Sequence, residues 1–123
     1  MFKYFSGLIL WLTAIVLKIC LSVVLWPYGI VQSIRRFEFS LWYTQLAIGQ
    51  DQYGNVLGQY LFNDVLITKD SQHKFGNTDE TISSVLGKNK AANTLTKLGT
   101  GVAAILNFID KDHVEKASNS PNN

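Results

Sequence analysis

Apolar residues follow one another almost without interruption from Tyr4 to Ile34, and Lys18 is the only charged residue among them. At about 1.5 Å per residue, a helix over this segment would be about 46 Å long, against about 30 Å for the hydrocarbon core of a bilayer. Two crossings joined by a turn would need more residues than the segment contains. A cleaved signal peptide would have a shorter apolar region, followed by a cleavage site of small residues. The pattern therefore predicts one transmembrane helix.

The ends of this segment carry residues typical of membrane–water interfaces. The predicted hydrocarbon window runs from about Phe5 to Trp26, with aromatic residues at both limits. Pro27 follows, where it could kink the helix as it leaves the bilayer. Arg35 and Arg36 close the segment and, by a narrow margin, favour a cytoplasmic position for the C-terminal part.

Lys18 lies inside the predicted window, where an ammonium group costs about 2.5–3.5 kcal/mol unless it reaches the headgroups. At about 100° per residue, Ser22 and Gly29 share its helix face. Two interpretations remain open. In the first, Lys18 extends along the helix to the headgroups. In the second, the face of Lys18, Ser22 and Gly29 packs against a partner helix.

The remainder of the chain carries shorter patterns. Phe37–Ile48 is rich in aromatic and aliphatic residues, as in a helix lying along a membrane surface, and a core helix of a small domain is the alternative. The glycines of Gly49–Asn55 are expected to break that helix, although Asp51 and Asn55 would share a face if it continued. Gln59–Thr68 is short and apolar, and fits either a helix or a strand.

Two further helices are predicted after a polar loop. The run Thr78–Ser84 begins the first of them with capping and acidic residues, and Gly87 closes it. The second covers about Ala92–Ile109, where apolar residues recur at helical spacing. Gly99 and Ala103 lie on this helix and would let another helix approach closely.

These patterns predict a mainly α fold in three parts. A transmembrane helix with a basic flank (1–36) precedes a small, membrane-proximal helical region (37–117) and a disordered tail (118–123). The net charge of +2 is unevenly distributed, since residues 1–36 carry four bases and no acid. This asymmetry argues against a soluble enzyme whose charged and apolar residues are evenly mixed along the chain. The lack of a basic stripe argues against nucleic-acid binding.

Candidate chemistry is limited to scattered polar residues. The sequence contains none of the common motifs for serine hydrolases, zinc proteases or nucleotide binding, and its single cysteine, Cys20, lies in the apolar segment. Three or more carboxylates with an imidazole suit a divalent metal ion. The candidate metal ligands are Asp51, Asp79, Glu80, Asp110 and His113. Helix capping and loop hydrogen bonds explain the same residues without a metal.

Three motifs lie within residues 46–115. They are D-Q-Y-G-N at Asp51–Asn55, D-E-T-I-S-S at Asp79–Ser84, and D-K-D-H at Asp110–His113. Together they resemble a family of small proteins encoded by tailed bacteriophages and by prophages of proteobacteria, whose pattern is D-Q-x-x-N, P-D-E-T-I-S-S and D-x-x-H. Thr78 stands where that family often has Pro, and Val114 where it often has Cys. The resemblance implies a viral origin and no particular mechanism.

Two functions from different classes remain open. The first is a non-enzymatic phage membrane protein, in the host inner membrane or a virion membrane, which acts by associating with lipid, with itself or with another membrane protein. Its helix-packing residues would be Lys18, Ser22, Gly29, Gly99 and Ala103. The second is a membrane-anchored, metal-dependent hydrolase that uses the acidic residues and His113. The sequence identifies no catalytic residue and no cofactor beyond that hypothetical ion.

Overall fold

The structure, a computed structural model, describes residues 2–119, with side chains from Tyr4 onward. The described residues form six helices and no strand: α1 (Phe2–Arg35), α2 (Phe39–Leu57), α3 (Gln59–Val65), α4 (Ile82–Ala91), α5 (Lys97–Ile109) and α6 (His113–Ser118). The predicted mainly α fold is confirmed. The chain divides into two compact units, unit one up to Thr44 and unit two from Gln45 onward.

In unit one, α1 confirms the long apolar N-terminal helix. Among the described residues it is the only helix long and apolar enough to cross a membrane, and none of its most apolar window is buried. Pro27 lies inside the helix without ending it. Most of the large apolar side chains between Tyr4 and Ile34 are therefore exposed.

The turn between α1 and α2 is a Schellman motif with an aromatic residue at its left-handed position. Glu38 N donates to Ser33 O at 2.8 Å, and Phe37 N donates to Ile34 O at 3.1 Å. Phe37 has φ 57°, a region that glycine normally occupies. Its side chain is 98% exposed. A non-glycine residue pays about 1–2 kcal/mol for this backbone conformation.

The first turn of α2 packs on the end of α1 through aromatic rings. Trp42 meets Trp26 edge to face, with ring centroids 5.7 Å apart. The indole of Trp42 also occupies the space that a Cβ on Gly29 would need. Gly29, predicted to face a partner helix, thus allows close packing within the chain itself.

The predicted helix break at Gly49–Asn55 is wrong, because α2 runs through it to Leu57. Two glycines in a helix cost about 1 kcal/mol each. The next turns of the helix carry Asp51 and Asn55, whose side chains bond to the segment before α4 and to its first turn. These tertiary bonds require the helix to continue, and they override the local preference of the glycines.

Unit two has a small core centred on α4, which packs against α5 and α6. Its buried apolar residues are Leu66, Ile67, Phe75, Val85, Leu86, Ala103 and Val114. Thr81 caps α4, and its hydroxyl accepts a hydrogen bond from Ser84 N at 3.0 Å. The helix therefore begins at Ile82, inside the run Thr78–Ser84 and later than the start predicted at Thr78.

Gly87 does not close α4, contrary to the prediction, since the helix continues to Ala91. The glycine is buried, and a Cβ there would collide with the backbone carbonyl of Val114 in α6. A side chain at this position would separate the two helices. Gly87 is thus required for close helix packing, and not for helix termination.

α5 is shorter than predicted, because the residues before Lys97 pair with the chain after α3. Thr68 N donates to Thr94 O at 2.9 Å and Thr96 N to Leu66 O at 3.0 Å, on either side of an isolated antiparallel bridge. Gly99 lies against the Leu66 carbonyl and has no room for a Cβ. At the other end of the chain, Ser118 closes α6, and residues 120–123 of the predicted tail lie outside the described residues.

Candidate functional site

Asp51 in α2 binds the N-terminus of α4. Its Oδ1 accepts from Ile82 N at 2.9 Å, and its Oδ2 accepts from the Ser83 hydroxyl at 2.9 Å. The first amides of a helix have no partner within the helix and carry a partial positive charge. A carboxylate at this place supplies both the acceptor and the complementary charge, so Asp51 stabilises the start of α4.

Asn55 lies one turn after Asp51 and fixes the loop before α4. Its Nδ2 donates to the carbonyls of Asn77 and Glu80, both at 2.9 Å, and its Oδ1 accepts from Gly76 N at 3.0 Å. The side chain is fully buried. The D-x-x-x-N spacing in the first motif therefore places two side chains on one helix face, where both bind the segment around the second motif.

His113 connects the third motif to the same helix. Its Nε2 lies 3.1 Å from Ser83 Oγ, and its Nδ1 lies 3.0 Å from Asp110 Oδ2. Lys116 Nζ in turn donates to both oxygens of Asp110, at 2.9 and 3.0 Å. The Lys116 ammonium, and after it the His113 imidazole, lower the pKa of the Asp110 carboxyl. We call Asp51, Ser83, His113 and Asp110 the polar chain.

Ser83, His113 and Asp110 have the sequence of contacts found in serine hydrolases. The surroundings differ from those of such enzymes. The single hydroxyl proton of Ser83 has two acceptors, and the Asp51 carboxylate at 2.9 Å is a stronger one than a neutral imidazole. Asp51 also occupies the α4 amides that would stabilise an oxyanion, and its charge opposes that of the intermediate. The polar chain is therefore a structural network and not a nucleophilic triad.

An apolar cleft of about 510 Å³ has three members of the polar chain in its lining. Eight apolar side chains line it, namely Leu61, Phe62, Val65, Leu66, Ile82, Leu98, Val102 and Leu106. Asp51, Ser83 and His113 complete the lining. Small-molecule sites are typically apolar clefts of about 300–1,000 Å³ with a few polar groups that orient the ligand. This cleft, which lies wholly within unit two, has that composition.

The five predicted metal ligands do not gather around one point. Glu80 pairs with Lys88, with Oε2 and Nζ 3.1 Å apart, and Asp79 is exposed in the loop before α4. Asp51 and His113 meet only through Ser83. Among the described residues, no group of three or more acidic, histidine or cysteine side chains is placed to hold a metal ion. The predicted site is thus not assembled, because helix capping uses the Asp51 carboxylate and ion pairs use those of Glu80 and Asp110.

The predicted helix-packing residues serve mainly contacts within the chain. Gly29 accommodates Trp42, Gly99 accommodates the Leu66 carbonyl, and Ala103 is buried in the core of unit two. The Ser22 hydroxyl bonds to the carbonyl of Lys18 in its own helix. Three of the five residues, Gly29, Gly99 and Ala103, therefore allow close packing, but against other parts of this chain and not against a partner helix.

Sequence reasoning missed Asn89, a fully buried residue of α4. Its Nδ2 donates to the carbonyls of His73 and Val85, both at 2.8 Å, and its Oδ1 accepts from Thr94 Oγ1 at 2.6 Å and from the Ser71 hydroxyl. In the sequence it stands between two lysines, which is typical of an exposed polar loop. No local signal distinguishes it from a solvated asparagine.

The candidate site is an apolar cleft whose lining includes three hydrogen-bonded polar residues, one from each of the three motifs: Asp51, Ser83 and His113. It offers apolar surface and a few polar groups, but no assembled metal site among the described residues. A scan of protein-family models and searches of curated proteins and solved structures found nothing that matches this chain.

Proposed function

We propose that this protein is a single-span integral membrane protein that acts at the membrane by association and not by catalysis. The observation that supports it is α1, an apolar helix with no part of its most apolar window buried. Each Å² of apolar surface left in water costs about 25 cal/mol. A bilayer would cover this surface, and the helix is long enough to cross its hydrocarbon core.

The residues around α1 support a defined position in the bilayer. From Phe5 to Leu25 an α-helix rises by about 30 Å, which equals the thickness of the hydrocarbon core. Trp26 and Tyr28 follow directly, and Phe39 and Tyr43 from α2 add exposed aromatic rings in the same unit. Aromatic side chains of this kind are enriched at the membrane–water interface.

The membrane in question is proposed from the sequence alone. The resemblance of the three motifs to a phage and prophage family favours the host inner membrane or a virion membrane. The basic pair Arg35 and Arg36 favours the cytoplasmic side for unit two. In this proposal unit two is a folded binding module held at the membrane surface by α1.

Membrane fractionation tests the proposal. The full chain is expressed in bacteria, and the membranes are washed with alkaline carbonate and then with detergent. We expect the protein to stay in the carbonate pellet and to enter the detergent extract. A double variant, Val16→Arg with Val23→Arg, adds two guanidinium groups within the predicted window, each costing about 2.5–3.5 kcal/mol near the bilayer centre.

This double variant should lose most of its membrane fraction. The matched control is Phe108→Arg, which adds a charge at a side chain that is 91% exposed in unit two. The control should remain in the carbonate pellet like the wild type. Release of the wild type by carbonate would overturn the proposal, as would equal retention of all three proteins.

A further inference from the structure

The turn between α1 and α2 carries the two arginines of the chain side by side. We infer that Arg35 and Arg36 bind the headgroups of anionic phospholipids, in the leaflet that meets the C-terminal end of α1. This inference rests on the proposed function, since it requires α1 to lie in a bilayer, and it adds a partner and a site to that function. The contact lies wholly within unit one.

The two arginines present an unpaired positive charge. Both side chains are exposed, and the ion pairs of the described residues all lie in unit two. Up to Thr44 the sequence holds four basic residues and a single acidic one, Glu38. The planar fork of a guanidinium matches the oxygens of a phosphate group. The turn therefore suits a partner that carries an anionic phosphate.

The apolar surface of α1 ends directly before these arginines. Val31 and Ile34 are 52% and 56% exposed, and Arg35 follows as the last residue of the helix. A lipid whose acyl chain covers Ile34 carries its headgroup just past the apolar surface, where Arg35 and Arg36 lie. A nucleic acid would leave Val31 and Ile34 in water, at about 25 cal/mol for each Å² of apolar surface. The neighbouring surface thus favours a lipid.

Helix geometry brings the arginines within electrostatic range of the headgroups. With Trp26 at the edge of the hydrocarbon core, Arg35 lies about 14 Å further along an upright helix. The headgroup layer takes up about 5–8 Å of that distance. The remaining distance of about 6–9 Å is shorter than the Debye length, which is about 10 Å at 0.1 M salt. Arginine side chains also extend along apolar helix surface toward the headgroups.

Aromatic side chains at the same turn suit the polar layer of a membrane. Phe37 is 98% exposed, and the rings of Phe39 and Tyr43 meet edge to face with centroids 5.2 Å apart. Trp42 packs on Trp26 and so holds the start of α2 against the end of α1. Such rings are enriched at the membrane–water interface. A phospholipid, which has an anionic group and apolar chains, matches both the arginines and the rings.

Native mass spectrometry of the full chain in lipid nanodiscs tests the inference. The discs contain equal amounts of phosphatidylglycerol and phosphatidylcholine with identical acyl chains, and the lipids that stay on the ejected protein are identified by mass. We expect bound phosphatidylglycerol to exceed phosphatidylcholine by about fivefold or more, since one basic residue near an anionic surface contributes about 1 kcal/mol. In 1 M salt, where the Debye length is about 3 Å, the ratio should fall toward one.

Two double variants with the same change of net charge separate the turn from the rest of the chain. Arg35→Gln with Arg36→Gln should bring the ratio close to one. Lys97→Gln with Lys111→Gln is the matched control, because both lysines are exposed and belong to unit two. The control should keep the wild-type ratio. Glu38→Gln removes the acidic residue beside the arginines and should raise the ratio.

A competition experiment distinguishes the lipid headgroup from a free phosphate compound. Glycerol phosphate carries an anionic phosphate without acyl chains. Added in millimolar excess to the nanodiscs, it should leave the ratio of bound lipids unchanged. A ratio that falls to one would show that the arginines bind a soluble phosphate compound, which would overturn the assignment to lipid.

The outcomes distinguish this inference from the proposed function. A wild-type ratio near one, or equal ratios for the two double variants, would overturn the headgroup contact and leave the membrane span intact. A ratio that 1 M salt leaves unchanged would assign the lipid preference to uncharged contacts and would overturn the inference as well. Failure of the chain to enter the nanodiscs would overturn both proposals.

Discussion

His113 Nε2 lies 3.1 Å from Ser83 Oγ, although the two residues are 30 positions apart in the chain. The contact joins the N-terminal turn of α4 to the first residue of α6. Ser83 also donates its proton to Asp51, and the other ring nitrogen of His113 lies 3.0 Å from Asp110 Oδ2. A single histidine thus links the D-E-T-I-S-S and D-x-x-H motifs.

A double-mutant cycle would measure this link. Ser83→Ala and His113→Ala should each destabilise unit two by about 1–2 kcal/mol, because each removes a hydrogen bond beside a partly buried group. The double variant should lose less than the sum, with a coupling of about 0.5–1.5 kcal/mol. Native-state hydrogen exchange of the α4 and α6 amides gives the opening free energies. Strictly additive losses would mean that the two side chains do not interact.

The chemistry of Ser83 can be tested separately from its structural contact. Because Asp51 accepts its proton and occupies the nearby amides, we expect a fluorophosphonate probe to leave Ser83 unlabelled at neutral pH. A purified serine esterase in the same reaction serves as the positive control. Stoichiometric labelling that His113→Ala abolishes would instead identify a nucleophilic serine.

Sequence patterns predicted most of the helices, and long-range contacts decided where they begin and end. The length and apolarity of α1 were sufficient by themselves, since a helix of that kind needs no tertiary partner. At Gly49 and Gly87 the local preference of glycine predicted an end that does not occur. At Gly87 the close approach of the Val114 carbonyl is the reason, and it is a contact between distant parts of the chain.

The site was predictable only in part for the same reason. Asp110 and His113 are close in sequence, and their side chains are 3.0 Å apart, but they share no helix, because Asp110 is the extended C-cap of α5 and His113 begins α6. A list of acidic residues could not show that Asp51 meets α4, or that Glu80 pairs with Lys88. The apolar cleft had no sequence signal, because its lining comes from α3, α4 and α5 together.

Substitution of Gly87 should test the packing of α4 against α6. Gly87→Ala places a methyl group on the Val114 carbonyl, and we expect a loss of about 2 kcal/mol or more, since backbone must move to relieve the clash. The matched control is Gly101→Ala in α5, where a Cβ meets nothing within 4 Å. That change should stabilise the helix by about 0.5–1 kcal/mol. Similar effects of the two variants would contradict this role of Gly87.

Acid should weaken the attachment of α6 through Asp110. The carboxyl has a pKa lowered from its ordinary value of 3.8, first by Lys116 and then by His113. A carboxyl whose pKa is lower in the folded than in the unfolded state stabilises the fold at pH values above its unfolded-state pKa. This stabilisation disappears as the pH falls through the folded-state pKa. Protection of the α6 amides should therefore decline below about pH 3.8.

Two amide variants provide the comparison for this acid effect. Asp110→Asn should remove part of the decline, since the titrating group is gone. Asp112→Asn is the control, because Asp112 is exposed and its φ of 56° suits asparagine as well. An unchanged acid profile in Asp110→Asn would assign the effect to other carboxyls.

The turn at Phe37 connects backbone strain with the proposed membrane position. Glycine adopts φ 57° without the penalty of a side chain, so Phe37→Gly should slow hydrogen exchange at the turn amides by about five- to thirtyfold, or about 1–2 kcal/mol. Phe37→Ala removes the ring but keeps the strain, and should leave exchange in detergent nearly unchanged. If the exposed ring inserts among lipid headgroups, both variants should lose the same ring-dependent protection in vesicles. Equal exchange rates for the two variants in detergent would show that the turn carries no strain.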